Sequence, residues 1–563
     1  MTQGMMNVLI IIAAIMLILV IKSIYDARAG KARLLARLKR NWGDVPKEEY
    51  TQEKYTSIQF YYRQHKDDRM DIDDITWNDL SMDQIYMLMN NTCCAIGEEY
   101  LYALLRHISA DEDLLKERNR LIELFETNQE ARYALQTALC GMGKLKKISV
   151  YEYMNRLNLI PKESNTGHYL MAGAMLASLL LCFFSPAIGV ITALVVGIFN
   201  VVMYTKRKHV IEPYFEVVSY IIRLLDTVQK IPKLGIAGIS EYSETLRQAG
   251  TVFRKFRKGA SVVAPKKPTG DLMDMFVDYA RMLFHVDLIK FNKMLVQLKN
   301  NEETLNQMYE AIGLLDSMLA AASFRALTGK WCLPDLVHSR RPFLDVRNVY
   351  HPMLENPVPN SIKEDRCVLI TGSNASGKST FIKTLAINAI LSQTIYTSVA
   401  EEYHASFFRV ASSMALKDNI MSNESYYIVE IKSLKRILDS VDDEIPLLCF
   451  VDEVLRGTNT LERIAASSQI LNSFAKSGAM CFAATHDIEL THILEKEFSN
   501  YHFQEQVEDN QVLFDYLLYR GRAVSRNAIK LLGIMGYSQD IIDRADQAAN
   551  YFLEHGEWRS IQI

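Results

Sequence analysis

Residues Val368 to Thr384 constrain this chain more than any other stretch. They read Val-Leu-Ile-Thr, then Gly372-Ser-Asn-Ala-Ser-Gly377-Lys378-Ser379-Thr380, then an apolar-periodic run from Phe381 to Leu391. That order specifies a buried strand, a glycine-flanked turn and a helix beginning at Lys378, the arrangement of a P-loop. The glycines let backbone N–H groups converge on phosphate oxygens, and the helix N-terminus adds partial positive charge. Lys378 would reach the β- and γ-phosphates, and the Ser379 hydroxyl would hold Mg²⁺. The stretch is therefore expected to be a nucleotide site.

The chain has 563 residues, room for about three or four domains. It is 49% hydrophobic and 23% charged, which excludes a disordered protein. A formal net charge of −3 gives no whole-chain attraction to nucleic acid, so any such binding must be local. Eight cysteines are scattered, and only Cys93 and Cys94 are adjacent. No cysteine–histidine spacing of the metal-binding kind occurs, so free thiols in a reducing cytosol are expected.

Met5 to Ile21 is apolar apart from Asn7, and about 17 residues is the lower limit for crossing a bilayer. No Lys or Arg precedes it, whereas Lys22, Arg28, Lys31, Arg33, Arg37, Lys39 and Arg40 follow. That asymmetry puts the following segment in the cytoplasm, and the basic run suits anionic lipid heads. A cleaved signal peptide would need a positive n-region and a small-residue cleavage site, and both are missing. Residues 1–44 are therefore expected to be an uncleaved anchor with a basic juxtamembrane segment.

Tyr169 to Tyr204 contains no charged residue. One helix over this span would measure about 54 Å, against a hydrocarbon core of about 30 Å. Ser185-Pro186, near its middle, breaks such a helix. Two short spans joined by a tight turn solve the length problem, and Lys206-Arg207-Lys208 returns the chain to the cytoplasm. A multi-pass protein of the cytoplasmic membrane is expected, with a hairpin over 166–208. Burial of the hairpin inside a soluble particle is the alternative.

Residues 45–165 and 209–345 read as soluble helix. Apolar residues recur at helical spacing through Ile85-Tyr86-Leu88-Met89, Tyr100-Leu101-Leu104-Leu105 and Tyr279 to Leu298, with charges between them. Asp67-Asp68, Asp71, Asp73-Asp74 and Asp79 lack the glycine and terminal glutamate of a Ca²⁺ loop and are expected to be solvated. Phe253-Arg-Lys-Phe-Arg-Lys258 interleaves basic and aromatic residues, either to grip phosphates of nucleic acid or lipid or as a solvated helix end.

From about 346 the pattern turns α/β. Pro446 to Val451 is a buried strand ending in Asp452-Glu453, where Asp452 would support Mg²⁺ and Glu453 could orient or deprotonate water. Met480 to Ala484 is the next strand, with Thr485-His486-Asp487 at its end. Ligands of open α/β sheets lie at the carboxyl ends of strands, so these groups should converge, with His486 sensing phosphate.

These segments resemble the MutS family, the ABC-superfamily ATPases known from DNA mismatch repair. The resemblance rests on Thr371 to Thr380, Asp452-Glu-Val-Leu-Arg-Gly-Thr458, Ala484 to Thr491, and Ser422-Asn-Glu-Ser425 leading to Glu430. It extends through Gly521 to Ser525, Leu531-Leu-Gly and Asp540 to Ala545. More weakly, Asn91 to Leu105 and Asp113 to Arg118 resemble the start of the family's core and lever region. The resemblance implies a P-loop ATPase domain of the ABC/MutS type over 346–563, ending in a helical dimerisation tail. An α-helical core/lever domain with transmembrane helices precedes it. Gly372, Ser373, Asn374, Ala375, Ser376, Gly377, Lys378, Ser379 and Thr380 would hold ATP, with Mg²⁺ on Ser379 and Asp452. Lys378, Glu453 and His486 would be catalytic. The implied assembly is a homodimer with composite sites, in which Ser425 approaches the γ-phosphate held by the other copy; Ser425 is also placed to cap the helix from Tyr426.

The departures matter as much. The core-like pattern starts by about residue 80, which leaves no room for the family's mismatch-reading domain. The apolar hairpin stands where the family inserts its DNA clamp. Val358 replaces the Phe that often stacks adenine, so either stacking would come from elsewhere, such as Tyr516, or base selectivity would be loose. The loop Ser-Asn-Glu-Ser lacks the family's usual Gly-Arg pair. The expectation is a membrane-anchored ATPase coupling ATP to lever movement at lipid, with no small-molecule substrate besides ATP. A DNA-binding repair ATPase tethered to the membrane is the alternative.

Overall fold

The computed structural model describes residues 3–67, 69–257, 279–373, 376–414, 426–442, 444–456, 458–508, 511–523, 529, 532–533 and 535–560. The chain divides into two compact units. One comprises Met1–Lys66, Tyr86–Leu104 and Glu117–Leu327; the other comprises Asp67–Ile85, Leu105–Lys116 and Thr328–Ile563.

The first unit is helical. Helix α1 (Gln3–Asn41) carries the apolar run and the basic run behind it on one continuous element of 39 residues, about 58 Å long at 1.5 Å per residue. Lys39 and Arg40 occupy its last turn, where they oppose the helix dipole. Leu17, Ile18 and Ile21 are exposed. Helix α2 (Ala95–Arg106) begins on a buried carboxylate: Asp316 accepts from Cys93 N at 2.9 Å and Cys94 N at 3.0 Å. These are the orphan donors of a helix start. Gly97 makes the approach possible, since a Cβ there would lie 2.1 Å from Asp316 Oδ2. Helix α3 (Val150–Leu159) uses the same device, its first N–H donating to Glu99 at 2.6 Å.

Helices α4 (Thr166–Phe184) and α5 (Pro186–Lys230) form the hairpin, turning at Ser185. Pro186 sits at the first position of its helix, where its missing N–H and fixed φ do no harm. At the turn the helices touch so closely that a Cβ on Gly189 would lie 2.4 Å from Cys182 N. The apolar side chains point outward: Phe183 and Phe184 are 85% and 88% exposed, and only Met175 and Ser178 of α4 are buried. The second helix does not end near Lys208 as the sequence suggested. It continues to Lys230, running through Pro213. The hairpin's base is tied down by polar groups. Asn200 Nδ2 donates to Leu283 O at 2.8 Å, and Tyr204 OH donates to Asp287 Oδ2 at 2.7 Å, at the start of α6 (Val286–Asn300).

Helix α7 (Glu302–Thr328) is also long and apolar enough to cross a membrane, but 78% of its apolar window is buried, against 11% for α4. It is the axis of the unit's core. Phe253 and Phe256 are buried edge to face, 6.0 Å apart, so the aromatics of the basic run are core residues rather than bases' stacking partners. Lys258 and the linker with Lys266-Lys267 lie outside the described residues.

The second unit holds the strands: β1 (Asp335–Val337), β2 (Leu344–Val349), β3 (Asn360–Glu364), β4 (Cys367–Thr371), β5 (Glu402–Ser406), β6 (Arg409–Ser413), β7 (Leu447–Asp452), β8 (Met480–Ala484), β9 (Phe498–His502), β10 (Glu505–Glu508), β11 (Gln511–Phe514) and β12 (Tyr519–Arg520). Strands thus begin ahead of position 346. A six-stranded sheet runs β12-β9-β4-β8-β7-β6, and a four-stranded one runs β1-β5-β2-β3. Strands β4 and β8 are buried at every residue, as parallel strands covered on both faces must be. The covering helices include α8 (Lys378–Thr394), α9 (Tyr426–Asp439) and α10 (Thr460–Lys476). The pairings Ile370↔Ala484 and Asp452↔Ala484 bring the carboxyl ends of β4, β7 and β8 level with one another.

The acidic cluster differs from the solvated loop expected. Asp73 caps the short helix Asp74–Asp79 and pairs with Arg436, while buried Asp79 accepts from Ser412 Oγ at 2.8 Å and Met414 N at 2.9 Å. These carboxylates attach residues 67–85 to the end of β6; Asp68 lies outside the described residues.

Candidate active site

The turn after β4 requires its glycines. Gly372 has φ +147°, and a Cβ there would meet Phe503 O at 2.7 Å; Gly377 has φ +106°, and its Cβ would lie 3.3 Å from the Tyr516 ring. Both conformations are ones that side chains other than hydrogen resist. Lys378 folds back into the turn, its Nζ donating to Gly372 O at 2.8 Å and Ser373 O at 2.7 Å. Burial lowers its pKa, opposed by the charges of Asp452, Glu453 and Glu505. Among the described residues, Ser376 Oγ is buried without a partner. Asn374 and Ala375 lie outside the described residues, as does Ser425.

Ser379 Oγ donates to Asp452 Oδ2 at 2.5 Å, joining the first turn of α8 to the end of β7. The other carboxylate oxygen, Asp452 Oδ1, is buried and unpartnered. An acceptor left this way beside a hydroxyl fits a hard cation bound through oxygen. Glu453 follows in the left-handed region at φ 53°, and Leu455 at φ 59°, costly for residues with side chains. The turn is held from α9: Glu430 accepts from Leu455 N at 2.5 Å and Arg456 N at 3.2 Å. Burial raises the Glu430 pKa.

The Glu453 carboxylate lies 3.0 Å from His486 Nε2 and also pairs with Arg456. His486 lies 3.5 Å from Lys378 Nζ. Its loop is fixed by the next residue, for Asp487 takes two bonds from Arg463 of α10, at 3.0 and 2.6 Å. Lys378, Ser379, Asp452, Glu453 and His486 are therefore gathered at one place from separate parts of the sequence.

Residues 368–553 match the family described as MutS domain V. The chain thus contains a MutS domain V. Similar proteins include the "DNA mismatch repair protein MSH3" of Debaryomyces hansenii, 27% identical over 47% of this chain and 28% of that one. The "MutS protein homolog 4" of Mus musculus is 30% identical over 44% and 27%. The "DNA mismatch repair protein MutS" of Pseudothermotoga lettingae is 27% identical over 47% and 34%. The match with each covers about a third of that relative's length or less.

The loop Ser376–Thr380 and Glu453 line a cleft of about 550 Å³. Its other walls are Tyr516, Val358 and the segment from Tyr350 to Pro357. Tyr516 and Val358, which the sequence weighed separately, share this cleft, and Asn360 Nδ2 ties them by donating to Tyr516 O at 2.9 Å. Sequence reasoning missed His351 and Leu354. The signal available was modest: an aromatic and proline-containing run, Tyr350-His351-Pro352, directly after β2. Burial, then the charge of Lys383, pushes His351 down to about 4, so its ring is neutral near pH 7 and suits contact with an uncharged ring. The reading also missed Glu505, whose carboxylate accepts from Ser373 Oγ.

Proposed function

We propose that this chain binds and hydrolyses ATP in domain V and is anchored in the cytoplasmic membrane by α1 and the α4–α5 hairpin. The observation that carries the ATP reading is the meeting of Lys378, Ser379–Asp452 and Glu453–His486 around two unpartnered buried oxygens, Ser376 Oγ and Asp452 Oδ1. The loop amides and Lys378 would take the phosphates. Ser379 and Asp452 fit Mg²⁺, which when bound neutralises charge on phosphate oxygens. Glu453 would accept the proton of the attacking water, with Arg456 and His486 orienting its carboxylate. Tyr516 and the wall from His351 to Val358 would enclose the base.

Dimerisation is part of the reading. Ser425 would complete the partner's site, and helix α11 (Gln539–His555) supports a second copy. It exposes Ile541 and Phe552 on an amphipathic helix. The membrane reading is supported by the outward apolar side chains of α4 and the adjoining part of α5, flanked by Lys206 to Lys208. Lever helices would then carry nucleotide-dependent closure to lipid, through states that bind nucleotide unequally.

DNA is the second reading, favoured by relatives named as DNA mismatch repair proteins. The test is hydrolysis by the full chain in lipid nanodiscs. Mg²⁺-dependent turnover that Lys378→Ala abolishes is expected; a wild-type chain that binds no nucleotide contradicts the proposal.

A further inference from the structure

Three carboxylates act on Lys378: Asp452, Glu453 and Glu505. Two have evident counterparts. Asp452 is paired with Ser379 and has a free oxygen for a cation, and Glu453 is held by Arg456 and His486. Glu505, at the start of β10, is different: it is 8% exposed, and among the described residues the hydrogen bond at its carboxylate comes from the neutral hydroxyl of Ser373. Ser373 is also one of the two residues whose carbonyls hold Lys378. A nearly buried carboxylate thus stands on the turn that must receive the phosphates, hydrogen-bonded to a neutral hydroxyl and within reach of the Lys378 charge.

We infer that Glu505 is a specificity-determining residue that weakens nucleotide binding through its charge, most strongly for the triphosphate. This rests on the reading of the turn as a nucleotide site. A fixed negative charge in a partly dehydrated setting acts on every negative charge brought near it, and screening by salt reaches such a site poorly. The nucleotide with more phosphate charge is therefore opposed more. Removing the charge should tighten ATP more than ADP, so Glu505 would keep the ATP-bound state from being over-stable and the site reversible. A carboxylate serving only to shape the turn would act on both nucleotides alike, and its loss would weaken them.

The experiment is equilibrium binding of ATPγS and ADP, with Mg²⁺, to the full chain in nanodiscs, read by fluorescent-nucleotide displacement. Glu505→Gln keeps the size of the side chain and removes the charge. It should lower the Kd for ATPγS by about tenfold, equivalent to about 1.4 kcal/mol, and the Kd for ADP by clearly less. Glu505→Asp, which keeps the charge, should return both affinities toward wild type. Glu505→Ala replaces the Gln variant should that one fail to fold, with the same expected direction. Unchanged or weakened binding in the uncharged variants overturns the inference, and so does equal tightening of both nucleotides. Failure of the wild-type chain to bind either nucleotide is a separate outcome, which overturns the nucleotide reading and this inference with it.

Discussion

At the scale of single residues, the account turns on carboxylates whose surroundings assign them different tasks. Glu453 sits in a strained backbone conformation at the end of β7, between His486 and Arg456. Replacing it by Gln keeps that shape and removes the proton acceptor. Turnover should fall at least about 100-fold, the range of a lost general base, while ATP stays bound; unchanged turnover would remove Glu453 from the mechanism. Glu99 illustrates a structural task. It is fully buried, accepts from Ser149, Val150 and Tyr309, and burial raises its pKa from 4.5 to about 8. The folded chain therefore favours the neutral acid. Its contribution to stability is complete below about pH 4.5 and is lost as pH rises toward and through about 8. Thermal unfolding of the full chain should show about 3 kcal/mol lost between pH 6 and 9. Glu99→Gln should flatten that slope; an equally steep loss in the variant would contradict the assignment.

At the scale of elements, the sequence was informative wherever a local pattern has a single physical solution. Cys367 to Thr371 and Met480 to Ala484 are short apolar runs, and both are buried parallel strands. Ser185-Pro186 marks the hairpin turn. Long-range partners were not legible. Nothing near Asp79 in sequence announces that it receives Ser412 and Met414, and nothing near Glu505 announces Ser373. Nor could apolarity alone separate α7, which is buried, from α4, which is not; the two differ in what surrounds them. The hairpin makes its own prediction. Gly189 lies where any Cβ would collide with the backbone of Cys182, so Gly189→Leu should separate the helices and destabilise the chain by about 1–3 kcal/mol, the range for overpacking. Thermal unfolding in nanodiscs checks this, and wild-type stability in the variant would contradict the close packing. An impermeant maleimide should label Ser185→Cys from outside sealed, cell-derived vesicles. Labelling only after the vesicles are opened would contradict the proposed orientation.

At the scale of the whole molecule, a MutS domain V and an exposed apolar hairpin occur on one polypeptide. The central claim is that nucleotide turnover in the first is answered by lipid at the second. Net charge near neutrality gives DNA no general hold on the chain, and the aromatics of its basic run are used in the core. The most direct measurement is ATP turnover by the full chain, purified in detergent, then returned to vesicles or supplied with heteroduplex DNA. The account predicts that lipid changes the rate and that heteroduplex DNA does not. Stimulation by heteroduplex DNA with no response to lipid would contradict it.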